Sequence, residues 1–419
     1  MRARRSRTGR LLGACIHSVC VLLAAGSGAN CRACEEAPPP PTISSFHLLP
    51  EPSFTRVDLA TDDATAALAS AESDAARLAE RAPESDAEAS RAVASAMLAA
   101  KFLGSANALR GLARFARELP PNATAERILL SSVALAATGA YGKAREALLA
   151  SHVDRSGRTT LEIEIALGLG EIDAARDAAT RNVEAPSGRT TENLVLLGRV
   201  LAAMGDTAAA DRAFVDAESA FAGSSPLILA DIYFSRASMW ERAGNLVEAT
   251  SLYRAAVRRV PAYAEAAAHL ASLLALNDAV ALLEPLTNTH PSPEISAGLA
   301  VYRELLRDGA GKSDRDAAAR TYVELLGLDG GDVIAPIVAG HAGWFFLRVA
   351  NDAPHAIQAA SIDVREHPSS DAYELALAAY GDTVERRDDR CRIAARARAF
   401  PYPSVNLQQA LQRVVDCPR

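Results

Sequence analysis

Between Tyr233 and Pro261 the chain sets apolar residues at helical intervals on either side of a short polar break. Tyr233, Ala237 and Trp240 share one face of a first helix, since residues three, four and seven apart lie above one another. Gly244-Asn245 interrupts that face, with glycine free to take a left-handed turn. Ala249 and Tyr253 open the apolar face of a second helix, which Pro261 stops. The stretch therefore predicts a helix, a tight turn and an antiparallel helix.

The same pattern recurs. Turn glycines fall at Gly139, Gly170, Gly205 and Gly244, with spacings of 31, 35 and 39 residues. After each turn an alanine is followed four residues later by an apolar residue on the same face. The pairs are Ala144 with Leu148, Ala175 with Ala179, Ala210 with Phe214, and Ala249 with Tyr253. The alanine lets a neighbouring helix approach, and the residue one turn on fills the groove between helices.

On these residues the chain resembles the tetratricopeptide repeat family, whose period is about 34 residues. The fullest copies are Leu194, Leu197, Gly198, Leu201, Ala210 and Phe214, then Tyr233, Ala237, Trp240, Ala249, Tyr253 and Pro261. Ala356, Ala360 and Pro368 repeat the last part of the second copy. The resemblance implies an all-α fold, a right-handed solenoid of eight or nine stacked antiparallel helix pairs, the first ones and the last degenerate, with the repeat array over residues 122–400. Two departures are visible: a shortened turn at Asn277-Asp278 with Pro285 inside the following helix, and an enlarged turn from Asp308 to Asp314. Residues 56–121, alanine-rich with Leu59, Leu68 and Leu78 as sparse large positions, are expected to form degenerate capping helices. Val405 to Val415, within the terminal segment 401–419, reads as an amphipathic cap.

The amino terminus carries a different signal. Arg2, Arg4, Arg5, Arg7 and Arg10 precede an apolar run of about 15 residues, and Ser27-Gly28-Ala29 offers small residues for cleavage, so residues 1–29 read as an export signal. The run falls short of the roughly 18 residues of a membrane span. Six prolines in residues 30–55 make a semi-rigid tether. Cys31 at its start is the alternative lipid attachment point of an outer-membrane lipoprotein, although Gly28-Ala29-Asn30 lacks the aliphatic residue expected before such a cysteine. Losing five arginines takes the net charge from −7 to −12, which argues against nucleic acid or anionic lipid as the main partner. Membrane association is expected only if Cys31 is lipidated.

Catalytic motifs are missing. Asp308 to Ser313 spells DGAGKS, but Leu306 stands where a phosphate loop needs its first glycine and no strand precedes it. GLGEID at Gly168 joins two helices, unlike a dinucleotide fingerprint. Cys31 and Cys34 have no second pair, which leaves a lipid-bearing Cys31, a local disulfide or idle thiols. The eight histidines are scattered, with no pair at the i, i+4 spacing of a helical metal site. No cofactor and no metal is expected. Cys391 and Cys417 are expected to pair in an oxidising compartment, closing 26 residues for roughly 3 kcal/mol.

What remains to carry function is the concave side, which the first helix of each pair lines in a stack of this type. Helical phase puts Glu192, Val195 and Arg199 there, then Asp231, Phe234, Ser238, Glu241 and Arg242, and later His341, Phe345 and Arg348. Mixed charge with exposed aromatics suits an extended peptide or a partner helix. The expectation is an exported, non-catalytic scaffold in the periplasm or cell envelope that binds a protein or peptide. The alternative is a lipid-anchored factor in envelope assembly.

Overall fold

The computed structural model describes residues 54–152, 158–381, 384–414 and 417; the export signal, the tether and Cys31 lie outside them. Among the described residues the regular structure is helical throughout. Three leading helices, α1 (Phe54–Glu80), α2 (Asp86–Leu103) and α3 (Ala106–Arg117), precede the pairs. Then come α4 (Ala125–Ala137) with α5 (Tyr141–Ala150), α6 (Thr159–Gly168) with α7 (Ile172–Glu184), and α8 (Thr191–Ala203) with α9 (Thr207–Ala220). The middle pairs are α10 (Pro226–Arg242) with α11 (Leu246–Arg259) and α12 (Ala264–Ser272) with α13 (Leu276–Thr289). Next are α14 (Pro293–Leu305) with α15 (Gly311–Leu326) and α16 (Ala339–Arg348) with α17 (Ala353–Glu366). The chain ends with α18 (Ser370–Tyr380), α19 (Arg387–Arg398) and α20 (Val405–Arg413). Each helix packs on its pair-mate, and successive pairs are in contact, an all-α solenoid of stacked antiparallel helix pairs.

The four turn glycines make one structure. Gly139, Gly170, Gly205 and Gly244 have φ of 86°, 70°, 80° and 79°. At each, the glycine N–H donates three residues back and the next N–H donates five back, as in Gly244 to Glu241 and Asn245 to Trp240. That closes the helix by the left-handed route glycine favours. Asp206 and Asn245 then cap the second helix, accepting from the N–H groups of Ala209 and Glu248. The same turn closes α14, but Arg307 (φ 59°) occupies the left-handed position there. The turn is therefore 306–310, shorter than the sequence pattern proposes, and Gly311 already begins α15. The α12–α13 turn likewise falls at 273–275, which places Asn277 and Asp278 in the first turn of α13. Pro285 sits inside α13 without ending it.

The small-then-large pairs do the packing assigned to them: Ala144, Ala175, Ala210, Ala249 and Ala356 are 0 % exposed. A Cβ on Gly198 would stand 2.8 Å from the Phe214 ring, so the smallest residue is required where α8 meets α9. Cys391 and Cys417 are joined by a disulfide, with Cα atoms 5.2 Å apart, which ties the end of the chain to α19.

The stack curves until its early and late units touch. The Ile337 N–H donates to the Thr138 carbonyl at 2.9 Å, and the rings of Tyr141 and His367 lie 4.9 Å apart. The Tyr402 hydroxyl donates to Asp173 at 2.6 Å. Meanwhile α1–α3 pack against α4 and also reach α10, α12 and α15. Phe102 meets Tyr263 at 4.7 Å, Lys101 pairs with Asp231 at 2.7 Å, and Arg110 grips both carboxylate oxygens of Glu324.

Two glycine substitutions separate turn strain from this closure. Gly205 has open space where a Cβ would go, so Gly205→Ala loses about 1–2 kcal/mol, the left-handed strain alone. A Cβ on Gly139 would stand 2.6 Å from the Ile337 nitrogen, so Gly139→Ala loses more, because that contact must open. Equal urea midpoints for the two variants would mean that the early–late contact contributes nothing.

Candidate functional site

The residues that helical phase assigns to the inner surface lie on α8, α10 and α16, and α2 packs against α12 between them. On α8, Glu192 is exposed, and Arg199 keeps 46 % of its side chain in contact with solvent. Val195, expected beside them, is 9 % exposed and belongs to the packing of α8 against its neighbours. Arg199 faces Glu164 of α6 at 3.9 Å. Desolvation works against its charge, but Glu164 and Asp231 hold its pKa above the ordinary arginine value. Asp231 is committed to Lys101 and is 20 % exposed.

Phe234 does not stand free as an exposed aromatic. It is half-buried between Tyr263 (5.1 Å), Tyr253 (5.8 Å) and His269 (5.8 Å). The correction at Phe345 is larger: it is 3 % exposed, packed on Tyr322 and Phe346 in the core of the late repeats. Arg348 lays its guanidinium 3.8 Å over the Trp344 ring and has further partners. Ser238 is half-buried. Arg242 is exposed, and its Nε donates to the Ser238 carbonyl at 3.4 Å. On α8 helical phase placed Glu192 and Arg199 on the open side, but it also placed Val195 there, which is packed. On α16 it placed His341, which is 38 % exposed, beside Phe345, which α15 covers.

Glu241 and His341 take part in a cluster that the sequence order conceals. Glu241 accepts from the Tyr253 hydroxyl at 2.7 Å and pairs with His269 Nδ1 at 2.8 Å. Burial raises the Glu241 pKa, yet His269 and Tyr253 outweigh it and hold the carboxyl below the usual range. For His269 burial disfavours the charge, while Glu241 and Glu265 raise its pKa. His341 lies 3.7 Å from Glu294 of α14, an ion-pair distance longer than a hydrogen bond. Against burial, Glu294 with Glu265 and Asp363 raise its pKa to about 9. The two imidazole centroids are 6.4 Å apart.

Glu265 and His269 were not among the residues the sequence singled out. A signal for them existed, since a carboxylate and an imidazole four residues apart share one helical face. Their proximity to His341, 72 residues on, is a product of the stack. The Tyr263 hydroxyl, fully buried and without a hydrogen-bond partner, is also near: Asp231, Glu265 and Arg199 all act on it, and burial holds its pKa well above the ordinary tyrosine value.

No family model matches the sequence, and neither does any curated protein. Solved structures with similarity include a chain of the APC/C hetero-tetramer Cut9–Hcn1, at 13 % identity and TM-score 0.42. The match covers 78 % of this chain and 63 % of that one. A tetratricopeptide repeat protein from Parabacteroides merdae matches at 13 % identity and TM-score 0.35, over 62 % of this chain and 98 % of its own. The TPR domain of P58(IPK) matches at 15 % identity and TM-score 0.21, over 69 % and 97 %.

Proposed function

We propose that this chain is an exported, non-catalytic scaffold whose inner surface holds a protein or peptide partner in the cell envelope. One observation carries the reading. The inner surface already accepts helices, those of its own leading segment, through an aromatic contact (Phe102 on Tyr263) and a charge pair (Lys101 with Asp231). That is the chemistry of helix-in-groove recognition. Beside that covered region α8 still presents Glu192 and Arg199 to solvent, so the partner is assigned to α8. The export signal and the alternative anchor on Cys31 rest on the sequence alone, and the mass of the mature amino terminus separates them.

Site-specific photo-crosslinking tests the face. A benzophenone side chain replaces Glu192 or Arg199 in one set of cells. In another it replaces Val247, an apolar residue of α11 that is 84 % exposed. Discrete adducts of one mass from both α8 positions, and none from position 247, are expected. The same adducts from all three positions, or none from α8, would overturn the assignment.

A further inference from the structure

Three potential ligands meet on the inner surface from two helices. Glu265 and His269 stand one turn apart on α12, and His341 projects from α16. One ligand atom of each lies within 4.8 Å of the others. All three are half-buried, with 28 % of the His269 and 38 % of the His341 side chain exposed, so an ion can reach them. We propose that Glu265, His269 and His341 form a binding site for a first-row divalent metal ion, with zinc(II) the ion that this donor set suits.

The surroundings support this in three ways. First, the pairing of His269 Nδ1 with the Glu241 carboxylate sets the tautomer that leaves Nε2 as a lone-pair donor. Metal-ligating histidines are held in this way. Glu241 is itself fixed by the Tyr253 hydroxyl, so the imidazole is oriented before an ion arrives. Glu294 stands at ion-pair distance, 3.7 Å, from His341 Nδ1. Second, Tyr253 stacks on His269 at 5.3 Å and Phe234 meets its edge at 5.8 Å, which limits water on one side of the site. Third, Glu241, Glu265 and Glu294 set three carboxylates around two imidazoles, a surplus of negative charge that favours a dication.

Two imidazoles and one carboxylate are a donor set zinc(II) uses with its fourth position open, at bond lengths of about 2.0–2.2 Å. Tetrahedral ligation places the donor atoms about 3.4 Å apart, so the site closes by side-chain rotation, chiefly of the flexible Glu265. The ion would bridge α12 to α16. The inference does not depend on the scaffold reading.

The test uses the mature full-length chain, without a histidine tag and stripped with a chelator. In competition with a chromophoric chelator, wild type takes up one zinc per chain, and its melting temperature rises. His269→Ala and His341→Ala each weaken binding about 100-fold or more. Glu241→Gln, which reaches the ion only through His269, weakens it about 10–100-fold. His355→Ala, whose imidazole pairs with Asp352 away from the site, binds as wild type does. Cobalt(II) on the wild type gives a measurement that needs no variant: intense visible bands of a low-coordinate ion that zinc displaces. Overturning results are no stoichiometric zinc uptake by wild type, unchanged affinity in His269→Ala or His341→Ala, or the pale spectrum of loosely held six-coordinate cobalt.

Discussion

Tyr263→Ala is expected to lower stability by about 3–5 kcal/mol, the range for removing a buried aromatic ring. Tyr263 is 0 % exposed and lies at the N-terminus of α12, with Phe102 of α2 on one side and Phe234 of α10 on the other. Its ring is the wedge on which the leading helices rest against the stack. Loss of the ring therefore frees α1–α3 before the repeats unfold, and amide exchange in α2 speeds up more than in α8. Tyr263→Phe keeps the wedge and deletes the unpartnered hydroxyl, so its unfolding free energy from urea titration stays within about 1 kcal/mol of wild type or rises. If Tyr263→Ala leaves α2 as protected as before, the leading helices are held by something other than this contact.

The second large loss is expected at a buried ion pair between α9 and α10. Asp211 accepts from Arg236 at Nε (2.6 Å) and Nη2 (3.3 Å) and from the Trp240 indole at 3.0 Å. Only 5 % of its side chain and 11 % of the Arg236 side chain are exposed. Asp211→Ala leaves the guanidinium unpaired in a largely buried site, and removing one member of a buried pair costs about 3–5 kcal/mol. The double variant Asp211→Leu, Arg236→Met removes both charges and recovers most of the loss. Urea midpoints of the single and double variants decide the matter. A single variant within about 1 kcal/mol of wild type would mean that Arg236 swings out to solvent.

Local order was legible wherever one residue type meets one backbone demand. The turn glycines announce left-handed positions, and the alanines four residues before Leu148, Phe214 or Tyr253 announce close helix contact. Both readings hold because they depend on neighbours within one repeat. Arg307 shows the limit. It takes the same left-handed position at the end of α14, and an arginine carries no mark of that conformation.

Phe345 and His269 show a second limit. Helical phase states which residues share a face, but not what covers that face. Phe345 lies against Tyr322 because α15 and the loop after it close over α16. Asp231 meets Lys101 because helices 130 residues earlier fold back onto the stack.

The chain by itself therefore determined the alternation of helices and the glycine-marked turns, through spacing, glycine and small residues acting over a few angstroms. Only the tertiary structure decided how much of the inner surface stays open and which charges meet there. Those outcomes depend on the curvature of the stack, which sums small rotations from one pair to the next. Across α12, α14 and α16 that sum brings Glu265, His269 and His341 together, and it carries Thr138 to Ile337. No single repeat encodes the total.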